Sequence, residues 1–211
     1  MLKEILQWGD LVFDVGGNIG NKSAEFLAQG ARVVLFEPQS VCVAHCRARF
    51  GSKVIIEEIG LDSYKGTGLI YPSNAHTLSS MSQQFVDTVS VGRFQDYRWN
   101  QPTTIQVDTL DNMIEKYGTP KLIKIDVEGY EINVLKGLTS KIDLISIEFT
   151  PELLNSTLEC LECLPVGLYN YVRGEEECFK FDWISKDEMV KYLSSIKDYR
   201  VEFGDVYIKT C

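Results

Sequence analysis

No run of apolar residues in the 211-residue chain approaches the ~18 needed to cross a bilayer as a helix. The opening stretch MLKEILQWGD carries acids and no long apolar core, so it does not read as a secretory signal. A cytoplasmic protein with no membrane contact is the expectation. Basic charge is also short: 21 Lys and Arg stand against 30 Asp and Glu, a net charge of −9. That argues against a broad phosphate-binding face, and so against nucleic acid as substrate, local basic patches aside. Histidine is scarce, with only His45 and His76. Six cysteines include Cys42 and Cys46 on one expected helix and the Cys160-x-x-Cys163 pair on another, without a second such pair to complete a zinc site. No bound metal and inert free thiols are therefore expected. Repeats and low-complexity segments are absent. A length of 211 residues at 45% hydrophobic content suits one domain over residues 1–211. Nothing signals the oligomeric state.

What the chain does have is the stretch Leu11–Gly20, LVFDVGGNIG. The apolar run Leu11-Val12-Phe13 suits a strand buried on both faces. Asp14 follows, then Gly16, Gly17, Asn18 and Gly20, and a helical pattern over Lys22–Gln29 ended by Gly30. Strand, glycine turn and helix form the nucleotide-binding corner of a doubly wound α/β domain, with glycines expected where a ligand approaches the backbone. The G-x-G-x-x-G of a dinucleotide site is missing, which counts against an NAD-dependent oxidoreductase. The acid Asp14 suits an ammonium or hydroxyl better than a pyrophosphate. S-adenosylmethionine (SAM) has no phosphate and carries a positive amine and sulfonium. A second strand, Val33–Phe36, ends at Glu37-Pro38, and Glu37 is placed to accept from ribose hydroxyls.

DVGGNIG, then FEP, then IKIDVEGYEINVLKG resemble the FkbM-type methyltransferase domain, a SAM-dependent group. The resemblance covers roughly Leu11 to Pro151, and the run Lys124–Gly137 is its most specific part. Gly17 stands where the family loop usually has alanine. The resemblance implies SAM as cofactor and S-adenosylhomocysteine (SAH) as product. It also favours oxygen as the acceptor atom, in a sugar, glycan or secondary-metabolite alcohol.

Taken in order, the rest of the chain predicts a helix over Val41–Phe50, a third strand over Lys53–Ile59, and an irregular insertion at about 63–101. Within the insertion Gly66 and Gly68 suggest a hairpin turn. The polar run around His76, Ser79 and Ser80 suggests a functional or mobile loop. A strand Thr103–Thr109 and a helix Leu110–Tyr117 precede the strand Lys121–Val127, a helix Glu131–Leu138, a strand Leu144–Phe149 and a helix Glu152–Leu164. Strand-like Gly167–Val172 and Cys178–Trp183, a helix Lys186–Ser194 and a strand Asp205–Lys209 close the chain. The fold class is α/β: a Rossmann-like seven-stranded SAM methyltransferase sheet, parallel but for one antiparallel strand, with helices on both faces.

In such sheets ligands lie beyond the carboxyl ends of the strands. Gly60, Leu61 and Asp62 leave the third strand there. Gly60 and Leu61 are expected to face the adenine, with Asp62 either accepting from its amine or a solvated turn acid. Asp126 and Glu128 end the strand over 121–127, where alternation would put both side chains on one side. Glu148 ends the next. Gathered carboxylates raise one another's pKa and suit general-base work. Glu128 and Glu148 are the candidate catalytic pair. Asp126 serves the methionyl end of SAM as well, and Glu131 reads as a structural first-turn acid. His76 is a further candidate base, with a plain surface role as its alternative. Tyr71, Phe94, Tyr97 and Trp99 either stack on an acceptor or form a small core under the insertion. The rival functions are a nitrogen acceptor and a non-catalytic SAM-binding or interaction module.

Overall fold

The apolar runs become the interior strands of a mostly parallel sheet. The computed structural model describes residues 1–174, 176, 178–196 and 202–210. A short helix α1 (Leu2–Ile5) leads into β1 (Leu11–Val15), α2 (Asn21–Ala28), β2 (Arg32–Phe36), α3 (Ser40–Phe50) and β3 (Val54–Glu57). The next elements are β4 (Gly60–Leu61), β5 (Gly66–Ile70), α4 (Gln83–Ser90), β6 (Thr103–Asp108) and α5 (Leu110–Tyr117). Then come β7 (Leu122–Ile125), α6 (Glu131–Lys136), β8 (Leu144–Phe149), α7 (Leu154–Cys163), β9 (Gly167–Arg173), α8 (Lys186–Ser195) and β10 (Gly204–Thr210).

The main sheet runs β3-β2-β1-β7-β8-β10-β9. β10 lies antiparallel between β8 and β9, and the other pairings are parallel. Chain order reverses between β1 and β7, which opens a crevice at their carboxyl ends. Alternation along each strand builds two cores. Phe13, Ile123 and Ile147 pack on the side covered by α5, α7 and α8, while Val12, Leu122 and Leu144 pack with Phe26 and Phe50 of α2 and α3. One register level breaks the apolar pattern. Asp14, Lys124, Ser146, Tyr207 and Asn170 are paired neighbours across β1, β7, β8, β10 and β9, and all are buried. Polar groups at that depth need partners: Asp14 has Ser23, and Lys124 has Asp126 and Asp205.

Three expectations are corrected. Cys178–Trp183 forms no strand among the described residues. Phe179 packs on Tyr207 and Trp183, Phe181 packs on Tyr192, and Ile184 makes one isolated bridge to Tyr169. The insertion is more regular than a loop: β5 pairs antiparallel with β6, which pairs parallel with β4, in a separate three-stranded sheet. Gly66 and Gly68 lie within β5 and not in its turn. The Val/Phe stretch contributes α4, whose first turn is capped by Ser82 Oγ accepting from the Phe85 amide, a contribution of about 1 kcal/mol. Among the described residues no helix is long and apolar enough to cross a membrane.

Candidate cofactor and acceptor site

The glycine turn joins β1 to α2 and touches the turn after β7. Gly16 has φ +79°, and a Cβ there would lie 1.8 Å from the Asp126 carbonyl oxygen. A Cβ at Gly17 would meet Leu35 at 2.5 Å and the Asp14 carboxylate at 3.2 Å. The two glycines are thus demanded by the protein's own packing, a different reason from the ligand approach expected of them. Asn18 carries φ +49°, and its Oδ1 accepts from the Ile19 amide.

Glu37, at the end of β2, is buried and holds the loop from the other side. Its Oε2 accepts from the Asn18 amide at 3.0 Å and its Oε1 from the Gln39 amide at 2.7 Å. Burial raises its pKa, while those two bonds oppose the rise. Each carboxylate oxygen keeps a further lone pair for a hydroxyl donor. Asp14 accepts from Ser23 Oγ at 2.6 Å, and burial lifts its pKa to about 6.

An inner cavity of about 150 Å³ is lined by Gly16, Asn18, Glu37, Pro38, Gly60 and Leu61, with Met81 and Glu128 on the far wall. A second, more open chamber is lined by Asp14, Gly17, Lys22, Lys124 and Asp126. Gly16, Asn18, Thr77 and Asp126 line both. The inner cavity alone is below the roughly 300–1,000 Å³ of ordinary ligand sites, so a nucleoside-bearing molecule with a charged tail would need both chambers. Acids in the outer chamber match an amine, and Lys22 and Lys124 match a carboxylate. The donor set of the two chambers therefore fits SAM.

A strap over residues 76–80 roofs the inner cavity. The His76 carbonyl accepts from Asn18 Nδ2 at 3.2 Å and from Gln39 Nε2 at 3.1 Å. Ser80 Oγ donates to the Glu128 carbonyl at 2.6 Å, and Trp99 Nε1 donates to the Leu78 carbonyl. The strap is therefore tied at once to the glycine loop, to the end of β2 and to the turn after β7.

Asp126, Glu128 and Glu148 come together: one carboxylate oxygen from each lies within 4.8 Å of the other two. Strand alternation is not what achieves this. β7 ends at Ile125, and Glu128 has a left-handed φ of +54°, which turns its side chain back toward Asp126. Desolvation, followed by the charge of Asp126, pushes Glu128 and Glu148 well above the ordinary carboxylate range. Glu131 accepts from the Val127 and Gly129 amides and so shapes the turn; burial lifts its pKa to about 7.

Not every candidate joins the site. Asp62 is buried, accepts from Tyr130 Oη at 2.9 Å and lines neither chamber; Gly137, the cap of α6, packs against its backbone. His76 lines the inner cavity from the strap, exposed, and lies outside the group of three carboxylates. Tyr71, Phe94 and Trp99 pack with Leu78, Phe85 and Leu153 as a small core, and Tyr97 stacks edge-on to Phe94. Cys42 and Cys46 are free buried thiols under Asn18, pushed up to about 12 and about 11 by desolvation; Cys160 and Cys163 are also free.

Lys124 is a further group of the site that no motif above gives a role. It is 2% exposed, and its Nζ bridges Asp126 at 3.0 Å and Asp205 of β10 at 2.9 Å. The signal was a lysine inside an otherwise apolar strand, LIKI.

Several known proteins resemble the chain. "Hexuronic acid methyltransferase AglP" of Haloferax volcanii is 27% identical over 156 residues, which cover 69% of this chain and 57% of that protein's length. A putative methyltransferase from Streptococcus mutans, solved in complex with SAH, superposes over 100% of this chain and 93% of its own with a TM-score of 0.51 at 11% identity. A precorrin-6y C5,15-methyltransferase from Geobacter metallireducens GS-15 gives 0.49 at 12% identity, over 99% of this chain and 84% of its own. Residues 14–199 match the Methyltransferase FkbM domain, from the acid of the glycine corner to beyond α8. With a seven-stranded sheet of the methyltransferase order and a match over most of its length, the chain belongs to the FkbM family of SAM-dependent methyltransferases.

Proposed function

We propose that this chain is an O-methyltransferase acting on a hydroxyl of a sugar, glycan or small secondary-metabolite alcohol. The observation that carries the reading is the convergence of Asp126, Glu128 and Glu148 beside the inner cavity. An alcohol must lose its proton as it becomes an ether, and paired carboxylates with raised pKa values suit that task near neutral pH. The printed name of the Haloferax volcanii relative, a hexuronic acid methyltransferase, supports a sugar acceptor.

In this reading Glu37 and Asn18 hold the ribose end of SAM, and Gly60, Leu61 and Pro38 bound the adenine. Asp14 and Asp126 receive the methionyl amine, while Lys22 and Lys124 face its carboxylate. Bound SAM supplies an electrophilic methyl on a good leaving group. Glu128 takes the acceptor's proton, and Glu148 orients the hydroxyl. Because the two carboxyls share one site, one remains protonated as a donor when the other ionises. The strap over 76–80 excludes water from the cavity.

The test is incubation with isotope-labelled SAM and a panel of glycans and alcohols, read by mass spectrometry for a methyl gain. Glu128→Gln should leave SAH affinity nearly unchanged and lower turnover roughly 10²–10⁴-fold. Loss of SAH binding would instead assign Glu128 to the cofactor, and full turnover would move the base elsewhere.

A further inference from the structure

Lys124 reaches across the sheet to a strand that is not its neighbour. Its register partner on β8 is Ser146, whose own partner on β10 is Tyr207, so β8 lies between Lys124 and Asp205. A long side chain is needed to span β8, and the small Ser146 stands level with it. Lys124 Nζ meets Asp205 Oδ1 at 2.9 Å and Asp126 Oδ2 at 3.0 Å. The side chains of Lys124 and Asp205 are buried, whereas Asp126 is 36% exposed and lines both chambers. A lysine ammonium carries three N–H donors. Two are taken here, and no third acceptor reaches Nζ among the described residues. Lys124 lines the outer chamber, so the third donor is the one left for what the chamber holds. Asp126 Oδ1 likewise has no protein donor among the described residues. One donor and one carboxylate oxygen, side by side on a chamber wall, match the two charged groups of an amino-acid zwitterion.

We propose that Asp205 is a positioning residue for the amino-acid end of SAM: it fixes the Lys124 ammonium so that the remaining N–H meets the methionyl carboxylate and Asp126 keeps an oxygen for the amine. An ammonium on a four-carbon stem turns freely, unlike the planar fork of arginine, so its direction is set by what it bonds. Asp126 alone cannot set it. With a single acid to hold, Nζ would close on both oxygens of Asp126 and take the one the amine needs. Asp205 is held in β10 by pairing with Glu148 of β8 and Val172 of β9, and from there it draws Nζ away from that position. The rival role for Asp205 is to neutralise a buried cation and nothing more. In that case its charge would matter and its reach would not.

The inference rests on the proposed placement of the methionyl end in the outer chamber, and three ligands separate the two. Calorimetry on the full chain measures SAH, its decarboxylated analogue, and 5′-methylthioadenosine, which lacks the whole amino-acid end. The wild type should prefer SAH to the decarboxylated analogue. Asp205→Glu keeps the charge but carries it one methylene further. It should weaken SAH roughly 10-fold or more, the size of a lost hydrogen bond to a charged group, and shrink that preference. Asp205→Asn keeps an acceptor oxygen at the same reach without the charge, and should retain most of the SAH affinity. Both variants should bind 5′-methylthioadenosine as the wild type does. A loss shared equally by all three ligands would mark a merely structural residue and overturn the proposal. So would SAH affinity kept in both variants, or lost in Asp205→Asn and kept in Asp205→Glu, the pattern of charge alone. If Asp205→Glu does not fold, Asp205→Ser, whose hydroxyl is too short to reach Nζ, takes its place with the same expected loss. If Asp205→Asn does not fold, the ligand pattern of Asp205→Glu decides alone. A wild type that binds SAH and its decarboxylated analogue equally would sink the placement and this proposal with it. A wild-type preference that persists undiminished in Asp205→Glu would sink the role of Asp205 and leave the placement standing.

Discussion

Asp14 couples the cofactor site to the stability of the fold, and Asp14→Asn measures the coupling. The residue is 2% exposed at the end of β1, with Ser23 Oγ as its hydrogen-bond donor. Burial lifts its pKa from an ordinary 3.8 to about 6. The folded chain therefore holds this proton more tightly than the unfolded chain does. The contribution to stability is present in full below about pH 4 and is lost as pH rises through about 6. A shift of about two units, at about 1.4 kcal/mol each, makes the ionised Asp14 a burden of about 3 kcal/mol at pH 7.5. Asparagine keeps the shape and an acceptor for Ser23 but cannot ionise. Urea unfolding of both chains without cofactor should show Asp14→Asn gaining about 3 kcal/mol on the wild type between pH 4 and pH 7.5. Glu131, lifted to about 7, adds a slope of the same sign to both chains and cancels in the difference. Calorimetry should show the same variant losing SAH affinity, since the methionyl amine loses a carboxylate. A stability difference that does not vary with pH would refute the reasoning, as would a variant that binds SAH as tightly as the wild type.

Other variants test the remaining contacts. Glu37→Ala should weaken SAH binding by about 1.5–3 kcal/mol in calorimetry, the range for a lost hydrogen bond to a charged group, and an unchanged affinity would remove Glu37 from the ribose. Gly16→Ala should cost well over about 2 kcal/mol in urea unfolding, because a backbone oxygen lies 1.8 Å from its Cβ and φ is +79°. Gly17→Ala meets side chains and no backbone, Leu35 at 2.5 Å and the Asp14 carboxylate at 3.2 Å, and should cost about 1–3 kcal/mol, so equal losses at the two positions would contradict the packing argument. Amide exchange over residues 76–80 should slow when SAH binds, because the strap roofs the cavity; equal exchange with and without SAH would make the strap a plain surface loop.

How far these contacts could be read in advance depends on what kind of order produced them. Strands β1, β2, β7 and β8 were legible because burial on both faces forces continuous apolar runs, and the acid after each run marked the crevice. Asp14, Glu37, Asp126 and Glu148 stand at or just beyond such strand ends. Glu128 joins the cluster for a different reason from the alternation expected of it. Its neighbourhood follows from a left-handed φ of +54° at a non-glycine residue, which leaves no mark in the periodicity. Asp62 misled for the converse reason: it stands where an adenine partner belongs, but a tyrosine 68 residues later claims its carboxylate. Lys124 was visible as a charge in a buried strand, yet its meaning required Asp205, 81 residues away on an antiparallel strand that sequence order does not bring beside it. The cluster around Glu128 is thus assembled from pieces that only the sheet order unites. The insertion matters for the same reason. Its aromatic residues read as an acceptor platform or a small core, and they form the core, which seats α4 beside Gly129. Local pattern reports which residues a strand can bury. The charge state of a site depends on which strands and turns are brought to it, and here Asp205, which pairs with Lys124, comes from a strand outside the motif that marks the family.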